Sequence, residues 1–174
     1  MDAVKRRVAV VCIAIVALAM GQGVAHATPG SGGAARLATA GIDSAQLAPG
    51  WELVGDELVW DGGAVRASIV PMGIGECDSG YTCVWEHINF NGRILQFRAA
   101  GLRSDMHDYT FDDKMSSWYN RNSRDARWYN EPNGGGVSRC MNNGSRNANL
   151  GIGSPFDDGD KMSSLRIYSN STSC

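Results

Sequence analysis

The sequence predicts an all-β fold with an extra N-terminal β-hairpin. Three features carry that reading: short apolar runs that alternate with polar residues, turn-forming Gly, Asn and Asp every few positions, and no long helical period between residues 81 and 174. Tyr81-Thr82-Cys83-Val84-Trp85 reads as a strand and Arg93-Ile94-Leu95-Gln96-Phe97 as its partner, with Asn91-Gly92 as the tight turn between them. Upstream, Val65, Ala67 and Ile69 alternate with Arg66 and Ser68, and Asp61-Gly62-Gly63 separates them from Leu58-Val59-Trp60. Residues 51–70 are therefore expected to form a hairpin. A lone hairpin is marginal in water, so it packs on the following domain or belongs to a removed prosegment.

The N-terminus sets the compartment. Lys5, Arg6 and Arg7 precede an unbroken apolar run from Val8 to Met20, and Ala25-His26-Ala27 supplies small residues at the two positions a signal peptidase reads. Residues 1–27 are thus expected to be a signal peptide, and the protein to be secreted and extracellular. The apolar run is too short for a membrane span of about 20 residues. Residues 28–50 are rich in Gly, Ala, Ser, Thr and Pro, which predicts a flexible linker or a propeptide. Cleavage would take three basic residues and one acidic residue from a chain of net charge −2, leaving about −4. That balance disfavours a nucleic-acid partner, which needs phosphate neutralisation. After cleavage no membrane contact is expected, and a monomer is.

Cys12 would leave with the signal peptide. Cys77, Cys83, Cys140 and Cys174 then form an even set in an exported chain, which predicts two disulfides with three possible connectivities. The short spacing favours Cys77–Cys83, which leaves Cys140–Cys174 to pin the C-terminus.

An internal repeat is the most informative feature. Phe111-Asp112-Asp113-Lys114-Met115-Ser116-Ser117-Trp118 recurs as Phe156-Asp157-Asp158-Gly159-Asp160-Lys161-Met162-Ser163-Ser164-Leu165, with its Asp-Lys-Met-Ser-Ser cores 47 residues apart. Two copies predict two related halves. Carboxylates, hydroxyls and turn carbonyls are the hard oxygen ligands that calcium takes. An Asx or Ser turn that satisfies its own backbone is the alternative for either copy alone.

Val84-Trp85-Glu86-His87-Ile88-Asn89-Phe90-Asn91-Gly92-Arg93, followed by Asp112-Asp113-Lys114-Met115-Ser116-Ser117, resembles one Greek-key motif of microbial βγ-crystallins. The family's aromatic-x-Gly corner is matched by Phe90-Asn91-Gly92, and its (Asn/Asp)-(Asn/Asp)-x-x-(Ser/Thr)-Ser calcium loop by residues 112–117. Residues 159–164 match the loop except at Gly159. The second aromatic strand and corner are expected over Val137–Gly144, where aromatic residues are missing. The resemblance implies a Greek-key β-sandwich over residues 77–174 that binds one or two Ca²⁺ ions. The implied ligands are the Glu86 and Lys114 carbonyls, the Ser116 hydroxyl and Asp113 in the first half, and the Lys161 carbonyl, Ser163 hydroxyl and Asp160 in the second.

The signal sequence, the two predicted disulfides and Trp-Glu-His-x-Asn-Phe-x-Gly also resemble exported bacterial proteins grouped with a metalloproteinase-inhibitor family of the same fold. That likeness implies a secreted protease as partner and a rigid, disulfide-held inhibitory loop. Asn133–Met141 is the candidate, tethered through Cys140, with Arg139, Cys140 and Met141 as its inhibitory residues, and a Gly-rich connection is the alternative. A calcium-stabilised extracellular structural or cell-surface module with no protease target remains the competing function. No catalytic residue is expected: Gly-x-Ser-x-Gly and His-Glu-x-x-His are both absent, and His87 and His107 fall in a strand motif and a loop.

Overall fold

The computed structural model describes residues 31–151, 157–172 and 174. The signal-peptide residues 1–27, and Phe156 of the second repeat, lie outside them. The strands are β1 (Glu52–Val54), β2 (Glu57–Trp60), β3 (Val65–Ser68), β4 (Thr82–His87), β5 (Asn91–Phe97), β6 (Gly101–Arg103), β7 (Ser117–Asn120), β8 (Ala126–Glu131), β9 (Gly135–Met141), β10 (Arg146–Asn147) and β11 (Ser164–Ile167). They pair antiparallel into two sheets, ordered β1-β2-β3-β5-β4-β7-β10 and β6-β11-β8-β9.

That order describes two interlocked Greek keys. β5, β4 and β7 lie side by side, while β6, which falls between β5 and β7 in the chain, crosses to the other sheet beside β11. β9, β8 and β11 repeat the plan, and β10 crosses back beside β7. Each key lends its third strand to the other's sheet, so the two halves bury their apolar faces against one another. The fold is an all-β, βγ-crystallin-like Greek-key sandwich with a β extension at its N-terminal side.

Strand alternation decides what enters the core. Val84, Leu95, Phe97 and Trp118 from one sheet meet Trp128, Met141, Leu165 and Ile167 from the other, around Phe111, Met115 and Met162. The intervening residues Cys83 and Trp85 point away and join Cys77, Tyr81 and Ile94 in a smaller cluster. Cys77–Cys83 and Cys140–Cys174 are disulfide-bonded, with Cα separations of 5.9 and 5.8 Å.

Two expectations about the N-terminal side need correction. Of residues 28–50, expected to be a flexible linker or a propeptide, 31–50 are not a flexible linker: they contain a helix (α1, Ser31–Thr39) and a short 3-10 turn that Asp43 caps by accepting from the Ala45 N–H at 2.9 Å. Leu37, Ile42 and Leu47 are buried in the main core, and Trp60 Nε1 donates to the Ala48 carbonyl at 3.1 Å. Composition missed this because three apolar anchors suffice where the receiving surface already exists. The hairpin expected at 51–70 is a three-stranded meander, and it continues the first sheet through pairs such as Ala67↔Leu95. Among the described residues, no helix is long and apolar enough to cross a membrane.

The second aromatic strand also lies elsewhere than expected. It is β8, carrying Trp128 and Tyr129, and its corner spans Pro132–Gly134 rather than Val137–Gly144. Val137–Met141 belongs to β9, the strand that returns from this corner.

Candidate functional site

The two copies of the repeat lie against each other and are tied by reciprocal bonds. Asp113 and Asp160 both adopt the left-handed conformation, at φ 50° and 53°, which Asp tolerates better than most residues. The Asp113 N–H donates to the Met162 carbonyl at 3.1 Å, and the Asp160 N–H donates to the Met115 carbonyl at 2.9 Å. Met115 and Met162 are fully buried, so each loop hangs from a core anchor next to its own carboxylate.

The side chains cross in the same way. Ser116 Oγ donates to Asp160 Oδ1 at 2.8 Å, and Ser163 Oγ donates to Asp113 Oδ1 at 3.4 Å. Each carboxylate therefore serves the other loop's serine. The second serine of each pair ties its loop to a hairpin corner. Ser117 Oγ donates to the His87 carbonyl at 2.7 Å and accepts from the Phe90 N–H at 3.1 Å. Ser164 Oγ donates to the Glu131 carbonyl at 2.7 Å and accepts from the Gly134 N–H at 2.9 Å.

Both corners carry a bulge, with the register slipping between Trp85 and His87 and between Tyr129 and Glu131. Glu86 and Asn130 are the bulge residues, where regular ladder bonding is disrupted. The adjacent backbone reaches the loops: the Ser116 N–H donates to the Trp85 carbonyl and the Ser163 N–H to the Tyr129 carbonyl, each at 2.9 Å. The crossed bonds thus group Lys114, Ser116 and Glu86 with Asp160 on one side of the pair, and Lys161 and Ser163 with Asp113 on the other. The Glu86 carboxylate is engaged by Arg93, whose Nη2 lies 2.8 Å from Oε1, which leaves the Glu86 carbonyl as its candidate ligand atom.

Asn130 is the residue that sequence reasoning missed. The signal was a spacing rather than a residue type. Trp85-Glu86, Asn89 and Gly92 recur as Tyr129-Asn130, Asn133 and Gly136, each 44 positions later. Asn89 and Asn133 are left-handed, at φ 60° and 59°. Gly92 and Gly136 are left-handed, at φ 86° and 69°, and a Cβ there would also crowd the His87 and Asn130 side chains at 2.9 and 2.1 Å, so both corners favour glycine.

Partial burial pushes the Asp113 carboxyl above its usual range, neighbouring Asp112 adds to the effect, and the Ser163 hydrogen bond opposes it. Asp112 Oδ2 lies 3.3 Å from His107 Nε2, while its Oδ1 is buried without a protein partner. His107 Nδ1 lies 2.9 Å from Asp105 Oδ1, and that contact raises the His107 pKa. The donor set of the paired loops is all hard oxygen, which fits Ca²⁺.

The segment expected to be inhibitory is not a loop. Arg139, Cys140 and Met141 lie within β9. Met141 is fully buried in the core, Cys140 is held by its disulfide, and Arg139 Nε donates to Asp158 Oδ2 at 2.8 Å. β9 pairs with β8 through Cys140↔Arg127 and Met141↔Ala126, which directs Met141 inward. A peptidase cleft cannot take Met141 without unfolding the second sheet.

Residues 70–141 match peptidase inhibitor family I36. The I36 match runs from the end of the N-terminal extension through β9, and so includes the whole first key and the first hairpin of the second. Among solved structures, one from a study of the evolution of the eye-lens βγ-crystallin domain fold is 18% identical, covers 59% of this chain and 95% of its own, and superposes with a TM-score of 0.49. A βγ-crystallin domain from Clostridium beijerinckii is 24% identical, covering 52% of this chain and 99% of its own with a TM-score of 0.43. A βγ-crystallin from Ciona intestinalis is 23% identical, covering 51% and 99% with a TM-score of 0.43. No curated protein matches the chain.

Proposed function

We propose that this protein is a secreted, calcium-binding βγ-crystallin-type inhibitor of an extracellular peptidase. The observation that carries the calcium reading is the crossed pair Ser116–Asp160 and Ser163–Asp113. One ion would take the Lys114 and Glu86 carbonyls, the Ser116 hydroxyl and the Asp160 carboxylate. The other would take the Lys161 and Asn130 carbonyls, the Ser163 hydroxyl and the Asp113 carboxylate. One carboxylate per ion places affinity toward the weak, extracellular-module end, about 10⁻⁴ M. The inhibitor reading is supported by the match of residues 70–141.

A second reading is a calcium-stabilised structural or cell-surface module with no peptidase target. The burial of Met141 favours it, because the segment expected to enter a protease is core. One experiment separates them. Calcium is titrated calorimetrically into the oxidised chain with a magnesium control, and then a thermolysin-type and a subtilisin-type peptidase are titrated with the chain, with and without calcium. Saturable calcium binding with stoichiometric inhibition supports the first reading. Binding without inhibition leaves the second, and no binding makes the paired loops turn formers alone.

A further inference from the structure

The outward face of the first sheet gathers arginines that the paired loops do not use. Strand register places Arg66, Gln96, Cys83, Tyr119 and Arg146 in one row across β3, β5, β4, β7 and β10. Their chain neighbours Val65, Ala67, Leu95, Phe97, Val84 and Trp118 belong to the main core, so alternation turns this row to the opposite side of the sheet, where Gln96 and Cys83 are buried and the arginines lie at the ends. Two residues along each strand, Arg98, Tyr81 and Arg121 continue the same face.

The guanidiniums collect on two rings. Arg66 and Arg98 lie 5.2 and 5.9 Å from the Tyr81 ring centre, and Arg121 and Arg146 lie 5.9 and 5.8 Å from that of Tyr119. Among the described residues, Arg66 pairs with Asp78 at 3.1 Å, while no carboxylate pairs with Arg98, Arg121 or Arg146. The Cys77 carbonyl accepts from Arg121 Nη1 at 2.6 Å and holds that side chain beside an open depression of about 350 Å³. Ser79, Ser123, Asn143 and Tyr119 line it with Arg121. These three guanidiniums, without a carboxylate partner among the described residues, leave charged donors on one sheet face that an anion can accept from.

We propose that this face binds an anionic glycan, with a carboxylate or sulfate held between Arg121 and Arg146 and sugar hydroxyls seated in the depression. Guanidiniums match oxyanions with paired, charge-assisted hydrogen bonds. The neutral amide and hydroxyl groups beside them suit a polyhydroxylated ligand, and the volume falls within the range of roughly 300–1,000 Å³ typical of small-ligand sites. A nucleic-acid strand fits less well, because it stacks its bases on open aromatic faces and both rings here are already approached by guanidiniums. A protein partner would need an apolar centre. The large exposed apolar residues among those described, Val54, Ile88 and Val137, are not in these rows.

The test is calorimetric binding of the full chain to a sulfated hexasaccharide of the heparin type and to a hexauronate. An uncharged hexasaccharide and a hexadeoxynucleotide serve as comparisons. Saturable binding of both acidic sugars that weakens with salt is expected, with none for the neutral sugar. Arg121→Gln with Arg146→Gln should lower affinity about tenfold or more. Arg36→Gln with Arg166→Gln removes the same charge elsewhere and should leave affinity unchanged, with near-UV circular dichroism checking that both variants fold. Absence of acidic-sugar binding, an equal loss in both double variants, or tighter binding of the oligonucleotide would overturn the proposal.

Discussion

The two Greek keys share a backbone plan and fill it differently. In the first, Val84 faces the main core, and the large side chain, Trp85, points to the outer cluster beneath the Cys77–Cys83 loop. In the second the sizes are exchanged across the core: Trp128 faces inward, and Tyr129 is half-buried on the outer side beside Tyr168 and Arg166. Phe90 packs edge-on against Trp85 with ring centres 5.4 Å apart, whereas Gly134 holds the equivalent corner position in the second key. The loops diverge too. Asp112 reaches His107, while its counterpart Gly159 sits where a Cβ would lie 2.9 Å from the Gly151 Cα. What stays constant is a short list: the left-handed asparagines and aspartates, the serines that tie each loop to its corner, and the crossed Ser–Asp pairs. Backbone plan therefore depends on a few conformationally demanding positions. Bulk can move from one side of a strand to the other provided total volume is kept.

The comparison is broken most severely at Trp128. Trp128→Ala should cost about 3–5 kcal/mol in urea denaturation, with a smaller loss at Val84→Ala. Equal losses would mean that the two core-facing positions carry the same packing. Next, Cys140→Ala should cost about 2–5 kcal/mol. The disulfides span 34 and 6 residues of sequence, so loop closure alone makes Cys140→Ala costlier than Cys77→Ala by about 1.5 kcal/mol. The reverse order would show that burial of the first pair outweighs chain entropy.

Gly159→Asp would restore the loop pattern of the first half, yet it should destabilise by about 1–3 kcal/mol through its clash with Gly151. Calorimetry should then show no gain in calcium binding. The smallest effect is expected at Asp113→Asn. Because burial and Asp112 raise the Asp113 pKa, the folded state prefers the protonated carboxyl. That preference is a stability present at low pH and lost as pH rises from the ordinary aspartate value through the raised one. Asparagine should flatten this drift and slightly raise the melting temperature of the calcium-free protein, while weakening calcium binding. A lowered melting temperature would mean that the Ser163 bond outweighs the desolvation.

Much of the fold was legible from Tyr81 onward. Strand period, the Asn91-Gly92 turn and the repeated Asp-Lys-Met-Ser-Ser are local signals, and they lead to β4, β5 and the paired loops. The N-terminal helix was not legible, since Leu37, Ile42 and Leu47 show no apolar stripe and are buried by a surface that other segments build. Met141 misled for the converse reason. A Gly-rich approach from Asn133 to Gly136 reads as a free loop, but those glycines make a hairpin corner whose return strand must send Met141 inward.

Local chemistry in the sequence determined which residues could turn, cap and ligate: left-handed Asp113 and Asp160, serines after each methionine, and glycines at crowded corners. Tertiary structure decided which of them meet. Ser116 bonds a carboxylate 44 residues away, and Ser163 bonds one 50 residues away. No short-range pattern encodes that choice. It follows from two half-domains exchanging their third strands, which brings the two loops together and gives each serine the other's aspartate.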